Sequence, residues 1–462
     1  MKRTLVISIF IVLAATLFAG DSGNFQLPPY SKLQLKNGMT VLLMEQHEVP
    51  LIEVIAAFPA GAVKDGDKPG LANLTAEALL FGTKTYSKDQ IQESLDFLGA
   101  SYYSSAGTET AEIGMSFAAA DTGKVLPILK SILTEPSFDK TEFEKRKKRL
   151  LMELVQDREV PRQVIGTYFK QFLYGKHPYG NPVSGTKPGV TAIQPEDIET
   201  FYRTNYKPAD SVIAVVGDFK TADMKKRIAK LLKGWHPKGN STPVDTKADL
   251  PTFDRDRLLL VNKADATETQ FLIGHFGILY NNPDYNGVQV INTILGGRFT
   301  SWLMQELRVK AGLTYGARSR FTTYKDSGTF YISSYTRTAK TGEALDLALK
   351  VLDRLHSEGI DEETLLSAKN YMKGQYPPKF ETSGQLASLL TDMFFYHYDE
   401  SFINNFKKNV EGLTLAKANE LIKKYFFKDN LQFVLIGKAE AIRDTVKKYG
   451  ELTEKEITAD EF

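Results

Sequence analysis

The sequence predicts an α+β protein built from two homologous domains, each a mainly antiparallel sheet with helices packed on one face. Three observations carry this prediction. First, the chain repeats itself. Phe201-Tyr202-Arg203-Thr204-Asn205-Tyr206 leads through Asp210 into SVIAVVGDF, and Leu421-Ile422-Lys423-Lys424-Tyr425-Phe426 leads through Asn430 into LQFVLIGKA. Both read as a helix end, a polar turn, a β-rich strand and a glycine, Gly217 or Gly437. Asp139 and Asp361 each precede a long helical pattern, and this second offset differs from the first by only two residues. Second, strand-like and helix-like periodicities mix within each half. Third, KGWHPKGNSTPVDTKADLP, residues 233–251, has no apolar periodicity and is rich in turn-forming residues, as a linker would be.

The elements follow in chain order. Lys2 and Arg3, the apolar run Leu5 to Phe18 and the small residues Ala19-Gly20 have the form of an export signal, residues 1–20. The run is shorter than the ~20 residues a membrane span needs, so cleavage is expected. The expected product is soluble, exported and periplasmic where the cell has two membranes, with no stable membrane insertion. The N-terminal domain is expected over 28–232, the linker over 233–251 and the C-terminal domain over 252–450. Met39 to Met44 and Ile52 to Phe58 read as strands, Gly70 to Leu80 and Lys88 to Leu98 as helices. Ser101 to Phe117 alternates polar and apolar residues, as a hairpin does, and Val125 to Ile132 and Phe143 to Gln156 return to helical spacing. Sheets with clustered helices of this kind belong to the α+β class.

Composition narrows the function. The 462 residues carry a formal charge of only +2, with 42% hydrophobic and 25% charged residues, so nothing global calls for nucleic acid. Lys145-Arg146-Lys147-Lys148-Arg149 is interspersed with Glu142, Glu144 and Glu153 on a helical pattern and reads as a solvated face. There are no cysteines, which removes thiolate metal sites, disulfides and a Cys nucleophile. No Gly-x-Ser-x-Gly elbow and no phosphate loop ending in Gly-Lys-Ser/Thr occurs. The six histidines are scattered, and His177, before a proline, reads as structural.

The informative stretch is GLANLTAEALLFGT, Gly70 to Thr83. Two histidines four residues apart on one helix face grip a zinc ion, and a neighbouring glutamate activates its water. In the inverted arrangement, His-x-x-Glu-His, the three positions here read Asn73, Ala76 and Glu77. The surrounding frame G-L-A-x6-L-x2-G-T resembles the zinc helix of the insulinase/pitrilysin metallopeptidases, which include the mitochondrial processing peptidases. Leu35-Lys36-Asn37-Gly38-Met39 with Phe58-Pro59-Ala60-Gly61-Ala62 is similar to that family's opening. His177-Pro178-Tyr179-Gly180-Asn181-Pro182-Val183 with Gly185-Thr186 is similar to its middle signature, and Asn205-Tyr206-Lys207-Pro208 to the end of its first domain. The resemblance implies two such domains forming a clamshell. It also implies that Glu153 stands about where the family has its third zinc ligand. An amide at 73 and a methyl at 76 replace a ligand and the base, so zinc is expected on a partner and no cofactor on this chain. Glu77 and Glu153 are expected as surface or hydrogen-bonded carboxylates, with weak cation binding as a lesser alternative.

In the second half, Gln305-Glu306-Leu307-Arg308 is followed by Ala311-Gly312-Leu313-Thr314-Tyr315-Gly316. In insulinase-type enzymes such an Arg/Tyr pair faces the zinc site and holds the substrate carbonyl. A guanidinium and a phenol both donate to developing negative charge. Some family members divide the work between two chains, one with the zinc motif and one with the Arg/Tyr pair. The resemblance therefore implies a non-catalytic, substrate-binding subunit of an exported heteromeric zinc metalloendopeptidase acting on short unfolded peptides. Arg308 and Tyr315 would be offered to a homologous subunit bearing intact His-x-x-Glu-His. The alternative is a non-enzymatic peptide-binding or scaffold protein of the same fold.

Overall fold

A computed structural model describes residues 25–236, 244–460 and 462. The expected signal segment and part of the expected linker, 237–243, lie outside the described residues. Among the described residues no helix is long and apolar enough to cross a membrane.

The first half contributes β1 (Ser31–Gln34), β2 (Thr40–Glu45), β3 (Leu51–Phe58), β4 (Ser101–Ala106), β5 (Ala111–Ala118) and β6 (Val212–Gly217). The second contributes β7 (Arg257–Asn262), β8 (Glu268–Phe276), β9 (Ala317–Thr323), β10 (Gly328–Arg337), β11 (Gln432–Gly437) and β12 (Glu451–Glu456). They form two six-stranded sheets in the orders β1-β2-β6-β3-β5-β4 and β12-β7-β11-β8-β10-β9. The orders match strand for strand from β2 and β7 onward, which is the duplication made visible. Pairing is mainly antiparallel. The returning strands β6 and β11 lie parallel to β2 and β7, and β12 adds a second parallel pair. That strand carries the second sheet past residue 450, beyond the end read from sequence.

Each sheet packs its own domain's helices on one face. In the first half these include α1 (Leu71–Ala78) and α2 (Lys140–Gln156). Their core joins Val54, Phe58, Ile113, Ile213 and Val215 of the sheet to Leu74, Ile128 and Leu150. The opposite face of each sheet is covered by a helix from the other half. α3 (Pro161–Tyr174), although it belongs to the first half, lays Val164, Ile165, Tyr168 and Phe169 against Leu259, Val261, Leu272, Val434 and Ile436 of the second sheet. α4 (Ser383–Tyr396), from the second half, lays Leu386, Leu390 and Met393 against Leu42, Ile55, Ala214 and Val216 of the first. Burial on both faces explains why β6 and β11 are continuous apolar runs.

The segment expected as a linker is docked at both ends. Trp235 is buried and packs edge-on to Phe58 at 6.0 Å. The Thr246 hydroxyl donates to Asp326 Oδ2 at 2.6 Å, and Leu250 packs against the apolar layer under α3.

Candidate functional site

Helix α1 begins at Gly70, whose φ of 102° lies in the left-handed region. Gly185 approaches it so closely that a Cβ on Gly70 would meet the Gly185 Cα at 3.0 Å. The glycines read as motif letters are therefore the places where two loops touch backbone to backbone. The helix start is capped from outside. The buried carboxylate of Asp65 accepts from the amides of Gly70 at 2.8 Å and Ala72 at 2.7 Å.

The cap and the packing on β4 turn Asn73 and Glu77 toward α2. There Glu77 and Glu153, which the resemblance set near one another, are brought together through a third residue. The guanidinium of Arg146 donates to both Glu77 oxygens, Nη2 to Oε1 at 2.9 Å and Nε to Oε2. Its Nη1 donates to Glu153 Oε2 at 2.9 Å. Asn73 Nδ2 lies 3.5 Å from Glu77 Oε1. Ala76 is fully buried and its carbonyl accepts from Ser104 Oγ on β4. Burial depresses the Arg146 pKa, but the hydrogen bonds and charges of Glu77 and Glu153 outweigh it and the net shift is upward.

This arrangement does not fit a zinc ion. The two carboxylates already face one cation, held by a planar fork of donors. Asn73 offers only a neutral amide and Ala76 no base. Among the described residues no group of three or more His, Asp or Glu side chains is placed to hold a metal. The basic run 145–149 read as solvated is corrected at one position: the Arg146 side chain is 18% exposed and sits between the halves of the former ligand set. Sequence reasoning missed it, although its seven-residue spacing from Glu153 on one helix was available as a signal.

Arg308 and Tyr315 lie on the second half, and among the described residues no hydrogen bond or ion pair joins them to Asn73, Glu77 or Glu153. Arg308 ends a helical turn and rests its guanidinium over the Phe299 ring, 4.8 Å from the centroid. Tyr315 is 79% exposed and stands at the mouth of a cavity of about 460 Å³. The cavity walls come from Arg162 and Ile165 of α3, Gln270 and Leu272 of β8, Arg318 of β9 and Tyr331 of β10. Phe299 lines an adjoining cavity of about 680 Å³ that shares Arg318, Tyr331 and Ser333 with the first. Tyr315 thus lines the first cavity, Arg308 packs on a residue that lines the second, and among the described residues neither engages a carboxylate. His177 is structural: its Nδ1 accepts from the Tyr179 amide and its ring stacks on Tyr179 at 5.3 Å.

This two-sheet architecture recurs in known proteins. The family model described as Insulinase (Peptidase family M16) matches residues 40–187, and that described as Peptidase M16 inactive domain matches residues 192–372. The chain belongs to the M16 family, as a member lacking the catalytic set. A relative named non-peptidase homolog YmxG from Helicobacter pylori is 23% identical over 94% of this chain and 97% of its own. One from Bacillus subtilis named uncharacterized zinc protease YmxG is 21% identical over 85% and 95%. A crystal structure described as peptidase M16 inactive domain from Pseudomonas fluorescens superimposes with a TM-score of 0.82 at 26% identity. It covers 88% of this chain and 98% of the other. A protease from Helicobacter pylori shares the fold with a TM-score of 0.81 at 19% identity, over 89% and 100%.

Proposed function

We propose that this chain is the non-catalytic, substrate-binding subunit of a heteromeric M16 peptidase. A homologous subunit with intact His-x-x-Glu-His would supply the zinc, and the pair would act on short unfolded peptides outside the cytoplasm. The observation that carries the reading is an asymmetry. The first half has its ligand positions closed by Arg146, while in the second Tyr315 lines a groove and Arg308, packed on Phe299, has no carboxylate partner among the described residues. In a partner's active site such a guanidinium and phenol would hold the substrate carbonyl and stabilise its developing oxyanion. Peptide backbone has a further place to bind, because β4 is the terminal strand of the first sheet and adjoins α1. An extended segment added there would gain main-chain hydrogen bonds.

The test is a mixing experiment. The purified chain with added zinc should leave unstructured peptides intact, and together with its zinc-bearing homologue it should cleave them. Arg308→Ala or Tyr315→Phe should then lower kcat/KM by roughly 10²-fold, the scale of losing one oxyanion donor. Chelator-sensitive cleavage by the isolated chain would overturn the proposal. The non-peptidase name of the Helicobacter pylori relative favours a second reading, a peptide-binding scaffold without enzymatic partner. Peptide binding without any gain of activity in the mixture would support it.

A further inference from the structure

The two adjoining cavities of the second half have walls of one sign. Arg162 on α3, Arg318 and Arg320 on β9 and Arg298 before Phe299 all line them, and no Asp or Glu does. None of the four forms an ion pair among the described residues. Elsewhere on the surface cations with a carboxylate in reach do pair, as Arg443 does with Glu454 and Lys448 with Asp346, but here the walls offer them none. The net charge of +2 shows that the cluster is local and not an overall basic character. Arg318 and Arg320 alternate along β9 and so project from the same face, toward Tyr331 and Ser333. Arg298 provides an independent sign. Its Nη1 donates to Ser367 Oγ at 3.0 Å, but its Nε is buried with no acceptor in the protein. A buried donor without an acceptor is costly, and an incoming anion would relieve it.

We propose that this groove binds an acidic stretch of an extended peptide, so that Arg298, Arg318 and Arg320 select substrates by charge while Arg308 and Tyr315 serve the scissile region. The inference rests on the peptide-binding reading above and specifies its substrate. A short acidic segment fits better than a long polyanion. The groove runs on, through shared walls at Asn292, Gly297 and Tyr371, into a third cavity of about 830 Å³ that contains Asp392. Glu112 of the first sheet acts on Asp392 electrostatically. The walls of that cavity set Asp392 beside Lys379 and the apolar Phe380, Leu389 and Phe406, so the run of arginines ends there, and a peptide, which changes character along its length, suits the groove better than a uniform polyanion. Guanidinium forks suit the carboxylates of Asp and Glu side chains in bidentate geometry.

The experiment uses the full chain and fluorescence anisotropy with labelled unstructured peptides of equal length, one rich in Asp and Glu, one neutral and one rich in Lys and Arg. A single-stranded oligonucleotide forms the fourth arm. The acidic peptide should bind about tenfold tighter than the neutral one, the scale several part-exposed ion pairs supply together. The preference should shrink as salt is raised, a readout that needs no variant. Arg318→Gln with Arg320→Gln, both at exposed positions, should abolish the preference for the acidic over the neutral peptide. Equal binding of acidic and neutral peptides overturns the charge inference and leaves the peptide-binding reading standing. Oligonucleotide binding tighter than the acidic peptide at physiological salt overturns it in favour of nucleic acid. Binding of no peptide at all overturns both.

Discussion

At the scale of single residues, Arg146 is the informative side chain. It places a fixed organic cation where a metallopeptidase of this fold would hold an exchangeable one. Arg146→Ala leaves Glu77 and Glu153 facing each other part-buried, and the expected loss is about 1–3 kcal/mol in urea denaturation. An unchanged midpoint would show the ion triad to be inert. Zinc should leave the wild-type melting temperature unmoved and raise that of Arg146→Ala slightly, because two carboxylates and the Asn73 amide are then free to share a cation. Asn73, Ala76 and Glu77 were legible as neighbours in the sequence, since helical spacing alone puts them on one short surface, whereas Glu153 came only from the family resemblance. Arg146 was not recognised, because which side of α2 faces α1 is decided by packing against distant elements. Arg318 and Arg320 show the same limit. Their alternation was readable, but whether that face was open to water or folded over a groove was not.

Among elements, the helices α3 and α4 explain more of the architecture than any strand. Leu390 of α4 is fully buried against the first sheet. Leu390→Ala should cost about 2–5 kcal/mol by the usual cavity penalty, measurable by chemical denaturation. Below α3, Gly274 of β8 admits no side chain: a Cβ would lie 2.0 Å from the Phe330 carbonyl oxygen and 2.9 Å from Phe169 Cζ. Gly274→Ala should therefore force β10 or α3 to shift and lower the melting temperature, while the same change at open Gly316 should have little effect. Strand and helix positions in the first half were readable to within a few residues, because their apolar periodicities are local. The exchange of covering helices was not. Continuous runs such as VIAVVG announce burial on both faces, but nothing nearby in sequence tells which distant helix supplies the second cover.

For the whole molecule, the exchange makes each half structurally incomplete alone. Fragments 25–236 and 244–462 expressed separately should aggregate or expose apolar surface to dye, and together they should reassociate one to one. Independent, monomeric folding of either would contradict the crossed packing. Acidity acts on the same junction. Asp392, on α4, has its carboxyl pushed up from 3.8 to about 7, first by burial and then by Glu112, against a hydrogen bond from Tyr280. Between those values the folded chain keeps a proton that the unfolded chain has released. Stability therefore falls as pH rises through the window and levels off above it. Asp392→Asn should flatten this slope, on the order of 1–3 kcal/mol in denaturant series across the window. A slope unaltered in the variant would assign it to other groups. The crossed helices would also constrain how the proposed peptide is admitted. For the lobes to gape, α3 would have to peel from β8 and β11 while α4 peeled from β3 and β6, wetting two oily seams at once. For the proposed peptide, threading a loose end along the rim, past Tyr315, would disturb neither seam, and the chain would then act as a filter for strands already unravelled.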